Sequence, residues 1–174
     1  QIKIGIIEEM ISKHSYNFGL LTISDSGHIG ARKDNSGDVA VEAMIKLGYT
    51  RIYRDMVPDE IDMISSKLIE WSDNGKVDVI LTTGGTGVSP RDRTPEATKL
   101  VLDYEIPGIP EAIRVETRKF TEMSMLTRGI AGIRSKCLIV NLPGSPKGVL
   151  EGLSIISGVI NHTIALCQDT DQLH

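Results

Sequence analysis

Three short segments constrain this chain most. Phe18–Ser24, Val77–Thr83 and Cys137–Leu142 are apolar at most positions instead of at every second one. A strand wetted on one face alternates apolar and polar residues, so a run without alternation reads as a strand covered on both faces. Between these runs the period turns helical. Ala40, Ala43, Met44 and Leu47 form one stripe stopped by Gly48, and Ile61, Ile64, Leu68 and Trp71 form another before Gly75. Arg51–Val57 reads as a weaker strand. Thr94-Pro95-Glu96 predicts a helix start, with Thr94 as N-cap, Pro95 at N1 and Glu96 as a first-turn acid, and a helix running to about Tyr104. A further helix is predicted over Glu111–Phe120, and a last one carries Val149, Leu153, Ile156, Ile160 and Ile164 on one face. Strands alternating with helices predict an α/β fold, a three-layer α/β/α sandwich with a mostly parallel central sheet. The 174 residues suit a single domain. It is read as residues 18–168, with 1–17 an N-terminal extension and 169–174 a C-terminal tail.

Charge and composition exclude several functions. A net charge of −4 and 4% aromatic residues offer neither a basic field nor stacking platforms for nucleic acid. Cys137 and Cys167 make no CxxC, which suits a reducing compartment, so a cytoplasmic location is expected. No run of 18 apolar residues occurs, and Glu151, Asn161 and His162 interrupt the last apolar helix, so no membrane span is predicted.

In a parallel sheet, ligands bind beyond the carboxyl ends of the strands. The polar and glycine-rich segments of this chain follow such ends. Thr82-Thr83-Gly84-Gly85-Thr86-Gly87 offers glycines for close backbone approach and threonine hydroxyls as donors, a pattern that suits an anion. It is neither a P-loop, which needs GxxxxGK[ST], nor a dinucleotide fingerprint, because Pro90 stands where that motif wants glycine or alanine. Asp92 follows the loop, and Asp59 follows the Arg51–Val57 strand. A carboxylate beside a phosphate site makes sense with a cation between them, and two hard carboxylates on neighbouring loops suit Mg²⁺. Arg91 could pair with phosphate oxygens. The plainer reading makes Asp59, Asp92 and Thr94, and Asp34 or Ser36, helix caps. Ser24-Asp25-Ser26-Gly27, Asp34-Asn35-Ser36-Gly37 and the rigid turn Pro143-Gly144-Ser145 complete the edge.

These strings together resemble the molybdopterin adenylyltransferase family, which includes bacterial Mog proteins and the G domains of gephyrin-like and plant molybdenum-cofactor proteins. The matching pieces are SDSG at 24–27, DNSG at 34–37, VPDE at 57–60, TTGGTG at 82–87, PRDRTPEAT at 90–98, LTRGIAGIR at 126–134 and NLPGSPKG at 141–148. Order and spacing both fit, from about Phe18 to about Leu166. The resemblance implies an α/β/α domain that forms a homotrimer and transfers AMP from MgATP to the terminal phosphate of molybdopterin. Pyrophosphate leaves, and the adenylylated product passes to a molybdenum insertase domain or protein. It further implies Asp59, Asp92 and Asp34 as catalytic acids, the first two also as Mg²⁺ ligands. Thr83, Gly84, Gly85, Thr86, Gly87, Pro143, Gly144 and Ser145 would contact the nucleotide, and Ser24, Asp25, Ser26, Ser36, Thr127 and Arg128 the pterin. Apolar residues in 130–133 and 100–109 support oligomerisation. Arg93 stands where the family usually has valine, and Thr127 where many members have serine.

Three alternatives share the fold or the assembly. A nucleotide pyrophosphatase of the competence-damage type carries a GGLGPTxDD loop with paired acids, whereas position 93 here is arginine. An insertase domain usually carries GGxSxGxxD, which also fails. A gephyrin-type trimeric scaffold does not by itself require Asp59, Asp92 or the glycine loop.

Overall fold

The computed structural model describes residues 16–168. The extension before residue 16 and the tail after residue 168 lie outside the described residues. Six strands form one sheet in the order β2-β1-β3-β6-β5-β4. The strands are β1 (Asn17–Ile23), β2 (Arg51–Val57), β3 (Val79–Thr83), β4 (Tyr104–Glu105), β5 (Ala131–Arg134) and β6 (Cys137–Leu142). β2, β1, β3 and β6 run parallel, while β5 lies antiparallel to both β6 and β4. The helices are α1 (Asp25–His28), α2 (Asn35–Lys46), α3 (Ile61–Asp73), α4 (Thr94–Val101), α5 (Gly108–Thr117) and α6 (Pro146–Cys167), with a 3₁₀ turn at Glu122–Leu126.

Two separate apolar clusters show why the central strands lack alternation. Phe18, Leu20, Val79, Leu81, Leu138 and Val140 point to one face, where they meet Ala40 and Met44 of α2, Ile113 of α5 and the Val149–Leu153–Ile156–Ile160–Ile164 stripe of α6. Leu21, Ile23, Ile80 and Ile139 point to the other, onto Ile64, Leu68 and Trp71 of α3 and Ala97 and Val101 of α4. Successive side chains of a strand leave on opposite faces, so a strand with helices on both sides is apolar throughout. This is the expected three-layer sandwich. By length and composition alone α6 is long and apolar enough to cross a membrane. Its buried stripe packs on the sheet instead.

Several local expectations are corrected. β1 runs from Asn17 to Ile23, one residue earlier than the Phe18–Ser24 run, and Tyr16 just before it is in the core. α4 stops at Val101, because Leu102 is extended and Tyr104–Glu105 pairs with β5. α5 begins at Gly108; Pro110 sits in its first turn, where a missing N–H breaks no helical bond. Thr94 is the first helical residue, not the cap: Arg93 occupies the cap position without a side-chain bond, and the Thr94 hydroxyl donates to Gly84 O at 2.8 Å. Asp59 is not a cap either, since Glu60 holds that position before α3. Asp34 is the cap of α2. Ala131, Ile133 and Ile109 are buried within the chain, so of the two apolar regions Leu100 and Tyr104 supply the exposed surface.

Candidate functional site

The parallel strands deliver four loops to one edge of the sheet: residues 24–27 after β1, 58–60 after β2, 84–87 after β3 and 143–145 after β6. β5 runs the other way, so the residues before it arrive at the same edge. That is how Thr127 and Arg128 join loops that follow strands.

The glycine loop leaves β3 with Gly84 at φ +101° and Gly85 at φ +63°, backbone conformations that disfavour a side chain. A Cβ on Gly84 would overlap the Ile23 carbonyl, and one on Gly85 would overlap the Thr94 hydroxyl. The loop is held from behind. Gly85 O accepts from Thr94 N at 3.0 Å, Thr86 O from Arg128 N at 2.8 Å, and Gly87 O from Arg128 Nε at 2.6 Å. The N–H groups of Gly85, Thr86, Gly87 and Val88 donate no hydrogen bond among the described residues. A run of unspent N–H groups is what an anion requires. The Pro143–Ser145 turn closes on this loop: the Thr83 hydroxyl donates to Pro143 O at 2.8 Å, and a Cβ on Gly144 would lie 3.2 Å from Gly84 Cα. Ser145 caps α6, accepting from Gly148 N at 3.1 Å. The Thr86 hydroxyl meets that of Thr127 at 3.5 Å.

Asp59 and Asp92 bracket the loop. A Cβ built on Gly85 would lie 2.9 Å from Asp59 Oδ1, and one on Gly87 2.8 Å from Asp92 Oδ2. Asp92 Oδ2 accepts from Ser89 N at 2.9 Å. Asp25 and Asp59 bond reciprocally: Asp25 N donates to Asp59 Oδ2 at 3.1 Å, and Asp59 N to Asp25 Oδ1 at 3.0 Å. Burial, reinforced by the negative charges of Asp25 and Asp92, raises the Asp59 carboxyl above its ordinary value. Asp25 is shifted the other way, by the Asp59 N–H and by Arg91. Arg91 spends its guanidinium on acids, donating to both Asp25 oxygens at 2.9–3.0 Å and to Glu60 Oε1 at 2.9 Å. The sequence offered it as a phosphate partner; the fold uses it to tie the loops after β1 and β2 to the segment after the glycine loop. Magnesium takes one or two carboxylates and fills its remaining positions with water and phosphate oxygens. Among the described residues no group of three His, Cys, Asp or Glu side chains is placed to hold a metal. The Asp59–Asp92 pair, two carboxylates bracketing one loop, fits the smaller demand of Mg²⁺.

A cavity of about 270 Å³ opens beside the glycine loop. Thr83, Gly84 and Gly144 form one wall; Ser24, Asp34 and Ser36 lie on the others. Ser24 caps α1, accepting from Gly27 N at 3.0 Å, and its hydroxyl lies 3.4 Å from that of Ser26. Asp34 accepts from Gly37 N at 2.8 Å, the Thr22 hydroxyl at 2.7 Å and Arg54 Nη2 at 2.9 Å. Against the opposing effect of burial, these bonds hold Asp34 below the ordinary aspartate range. Arg32 and Lys33 also line the cavity, and sequence reasoning missed them. Their signal was two adjacent cations just ahead of Asp34, in the polar stretch between α1 and α2. Arg32 makes no ion pair among the described residues, and Lys33 lies 3.8 Å from Asp38.

Residues 19–162 match the family model described as "Probable molybdopterin binding domain". The chain is 42% identical over 156 residues to the molybdenum cofactor synthesis protein cinnamon of Drosophila melanogaster, a match covering 89% of this chain and 26% of that protein. It thus spans about a quarter of that relative. It is 38% identical over 152 residues to a molybdopterin adenylyltransferase of Helicobacter pylori, covering 86% of each chain. Among solved structures, the molybdopterin biosynthesis enzyme MoaB of Thermus thermophilus superposes with a TM-score of 0.81 at 44% identity, over 87% of this chain and 96% of that one.

Proposed function

The chain belongs to the molybdopterin-binding domain family, and from that premise we propose that it is a molybdopterin adenylyltransferase of molybdenum-cofactor biosynthesis. The terminal phosphate of molybdopterin supplies an oxygen that forms a bond to the α-phosphorus of ATP. The bond from that phosphorus to the bridging oxygen breaks, and pyrophosphate carries away the electron pair. Nucleotidyl transfer of this kind depends on positioning and charge neutralisation, and it needs no covalent nucleophile from the protein. The unspent N–H groups of Gly85–Val88, bracketed by Asp59 and Asp92, are the observation that carries this reading.

Each part of the edge has a role. The loop amides bind phosphate oxygens, and the Thr83–Pro143 bond keeps the nucleotide wall closed on the loop. Asp59 and Asp92 would hold Mg²⁺, which when bound neutralises phosphate charge and orients the triphosphate. Ser24, Ser26, Ser36 and Thr127 line the pterin side. Asp34, already bonded three ways, fixes the wall that carries Ser36. The working unit is a homotrimer; the exposed apolar residues Leu100, Tyr104, Met123 and Met125 supply contact surface. Light scattering at micromolar concentration should give three times the chain mass, and a monomer would remove this part of the proposal.

The experiment is pyrophosphate release from ATP and Mg²⁺ with and without molybdopterin. Release that requires molybdopterin supports the reading. Asp92→Asn, which keeps shape and removes charge, should lower turnover about 10²-fold while the melting temperature stays within a few degrees. A fully active Asp92→Asn protein would overturn the role given to this acid. Cleavage of nucleotide substrates without molybdopterin would point to a pyrophosphatase.

A further inference from the structure

Arg128 reaches the glycine loop through both its main chain and its side chain, and ties the loop to Asp92 and Glu96. Its main-chain N–H donates to Thr86 O at 2.8 Å, Nε to Gly87 O at 2.6 Å and Nη2 to Asp92 O at 2.7 Å. Nη1 pairs with the Glu96 carboxylate on α4, and Nη2 approaches the same carboxylate at 3.4 Å. A guanidinium has five N–H donors, and these contacts leave little of it for a substrate phosphate. In a trans peptide the carbonyl and the following N–H point in opposite directions. Fixing the carbonyls of Thr86 and Gly87 on Arg128 therefore turns the N–H groups of Gly87 and Val88 away from it, and both lack a partner among the described residues. The bond to Asp92 O holds that residue against Gly87, where a Cβ would lie 2.8 Å from its carboxylate.

We infer that Arg128 is a positioning residue for the nucleotide phosphates: with Glu96 as its counter-ion, it aims the anion-binding amides and seats Asp92, and it does not itself bind the pterin. This rests on the adenylyltransferase reading for the identity of the substrates. The geometric claim, that Arg128 sets a phosphate cradle, is tested by binding alone. A lysine keeps the main-chain bond to Thr86 O, but its one ammonium cannot span the carbonyls of Gly87 and Asp92 and the Glu96 carboxylate.

The test is calorimetric titration of wild type, Arg128→Lys, Arg128→Gln and Glu96→Gln with ATP and Mg²⁺, with pyrophosphate and Mg²⁺, and separately with molybdopterin, beside steady-state pyrophosphate release. Arg128→Lys should weaken ATP and pyrophosphate binding at least about tenfold, the scale of a lost charged hydrogen bond, and leave molybdopterin affinity within twofold. The KM for ATP should rise and that for molybdopterin should not. Glu96→Gln keeps the arginine on its carbonyls and should show a smaller effect of the same pattern, and it serves if Arg128→Gln fails to fold. A loss confined to molybdopterin, an equal loss for both ligands, or no loss would overturn the inference. So would a wild-type protein that binds neither ATP nor pyrophosphate. A wild type that binds ATP through an Arg128-dependent loop yet releases no pyrophosphate would overturn the reaction assigned above and keep the role of Arg128.

Discussion

Replacing Gly85 and Gly87 by alanine, one at a time, should separate two properties of one loop. Gly85 has φ +63°, and a Cβ there overlaps the Thr94 hydroxyl, whose hydrogen bond to Gly84 O is buried. A side chain in the left-handed region costs about 1–2 kcal/mol, and a displaced buried hydrogen bond about 1–3 kcal/mol. Together these are about 2–5 kcal/mol, a large fraction of a stability of roughly 5–15 kcal/mol. At about 2–4 °C per kcal/mol for a domain of this size, Gly85→Ala should lower the melting temperature by roughly 4–20 °C. Gly87 does not have a positive φ, and its added Cβ meets only the tip of Asp92, 2.8 Å away. Moving that carboxylate sacrifices its bond from Ser89 N, about 1 kcal/mol, largely offset by the about 0.4–1 kcal/mol gained from a stiffer unfolded chain. Gly87→Ala should therefore melt within about 3 °C of wild type while pyrophosphate release falls at least about tenfold, because Asp92 is pushed off station. Thermal unfolding and pyrophosphate release on the same preparations read both properties. A Gly85→Ala protein melting with wild type would refute the strained geometry of the loop, and a fully active Gly87→Ala protein would remove the Gly87–Asp92 contact from the mechanism.

Asp59→Asn should stabilise the protein at neutral pH. An acid raised on folding binds its proton more tightly in the folded state, so its contribution is fully present below the unfolded value of about 3.9 and is lost as pH rises through the folded one. The gain from Asp59→Asn, read from melting temperature against pH, should therefore be present at pH 7 and vanish toward pH 3; a gain that persists there would refute the cause assigned to the shift. Arg32 and Lys33 line the cavity, whereas Arg54, Arg91 and Arg128 are committed to carboxylates. Replacing both Arg32 and Lys33 by alanine should raise the KM for at least one anionic substrate and flatten its salt dependence. Unchanged salt dependence would place the substrate charge elsewhere.

What the sequence made legible follows from how each signal is generated. The buried strands β1, β3 and β6 announce themselves because covering both faces leaves no position wetted by solvent, as at Val79–Thr83, where every residue is buried and charge is absent. β4 and β5 gave no such signal. They are two and four residues long, and Gly132 lies where a Cβ would overlap the Tyr104 carbonyl, so β5 carries little strand character. The overrun of α4 has a similar origin: Leu102 continues the apolar stripe, but its main chain is already extended. Thr94 looked like a cap because capping residues and tertiary hydrogen-bond donors are drawn from the same short list. The acids at 59 and 92 could be placed on one edge from topology alone. That Arg91 binds Asp25 and Glu60, and not a ligand, depends on side-chain paths between three loops that no local pattern encodes.

Because β5 is antiparallel, the arginine that shapes the glycine loop comes 41 residues after Gly87 in the chain. Synthesis at about 5–20 residues per second makes the amino-terminal strands first. β1, β2 and β3 can pair as they emerge, but the carbonyls of Thr86 and Gly87 have nothing to hold them until residue 128 appears. β6, which separates β3 from β5, comes later still. Long-range contacts of this kind form late in folding. The nascent chain therefore carries Asp59 and Asp92, the proposed Mg²⁺ ligands, long before the loop between them is held in shape, and on the proposed function nucleotide binding becomes a report that the final third of the domain has docked.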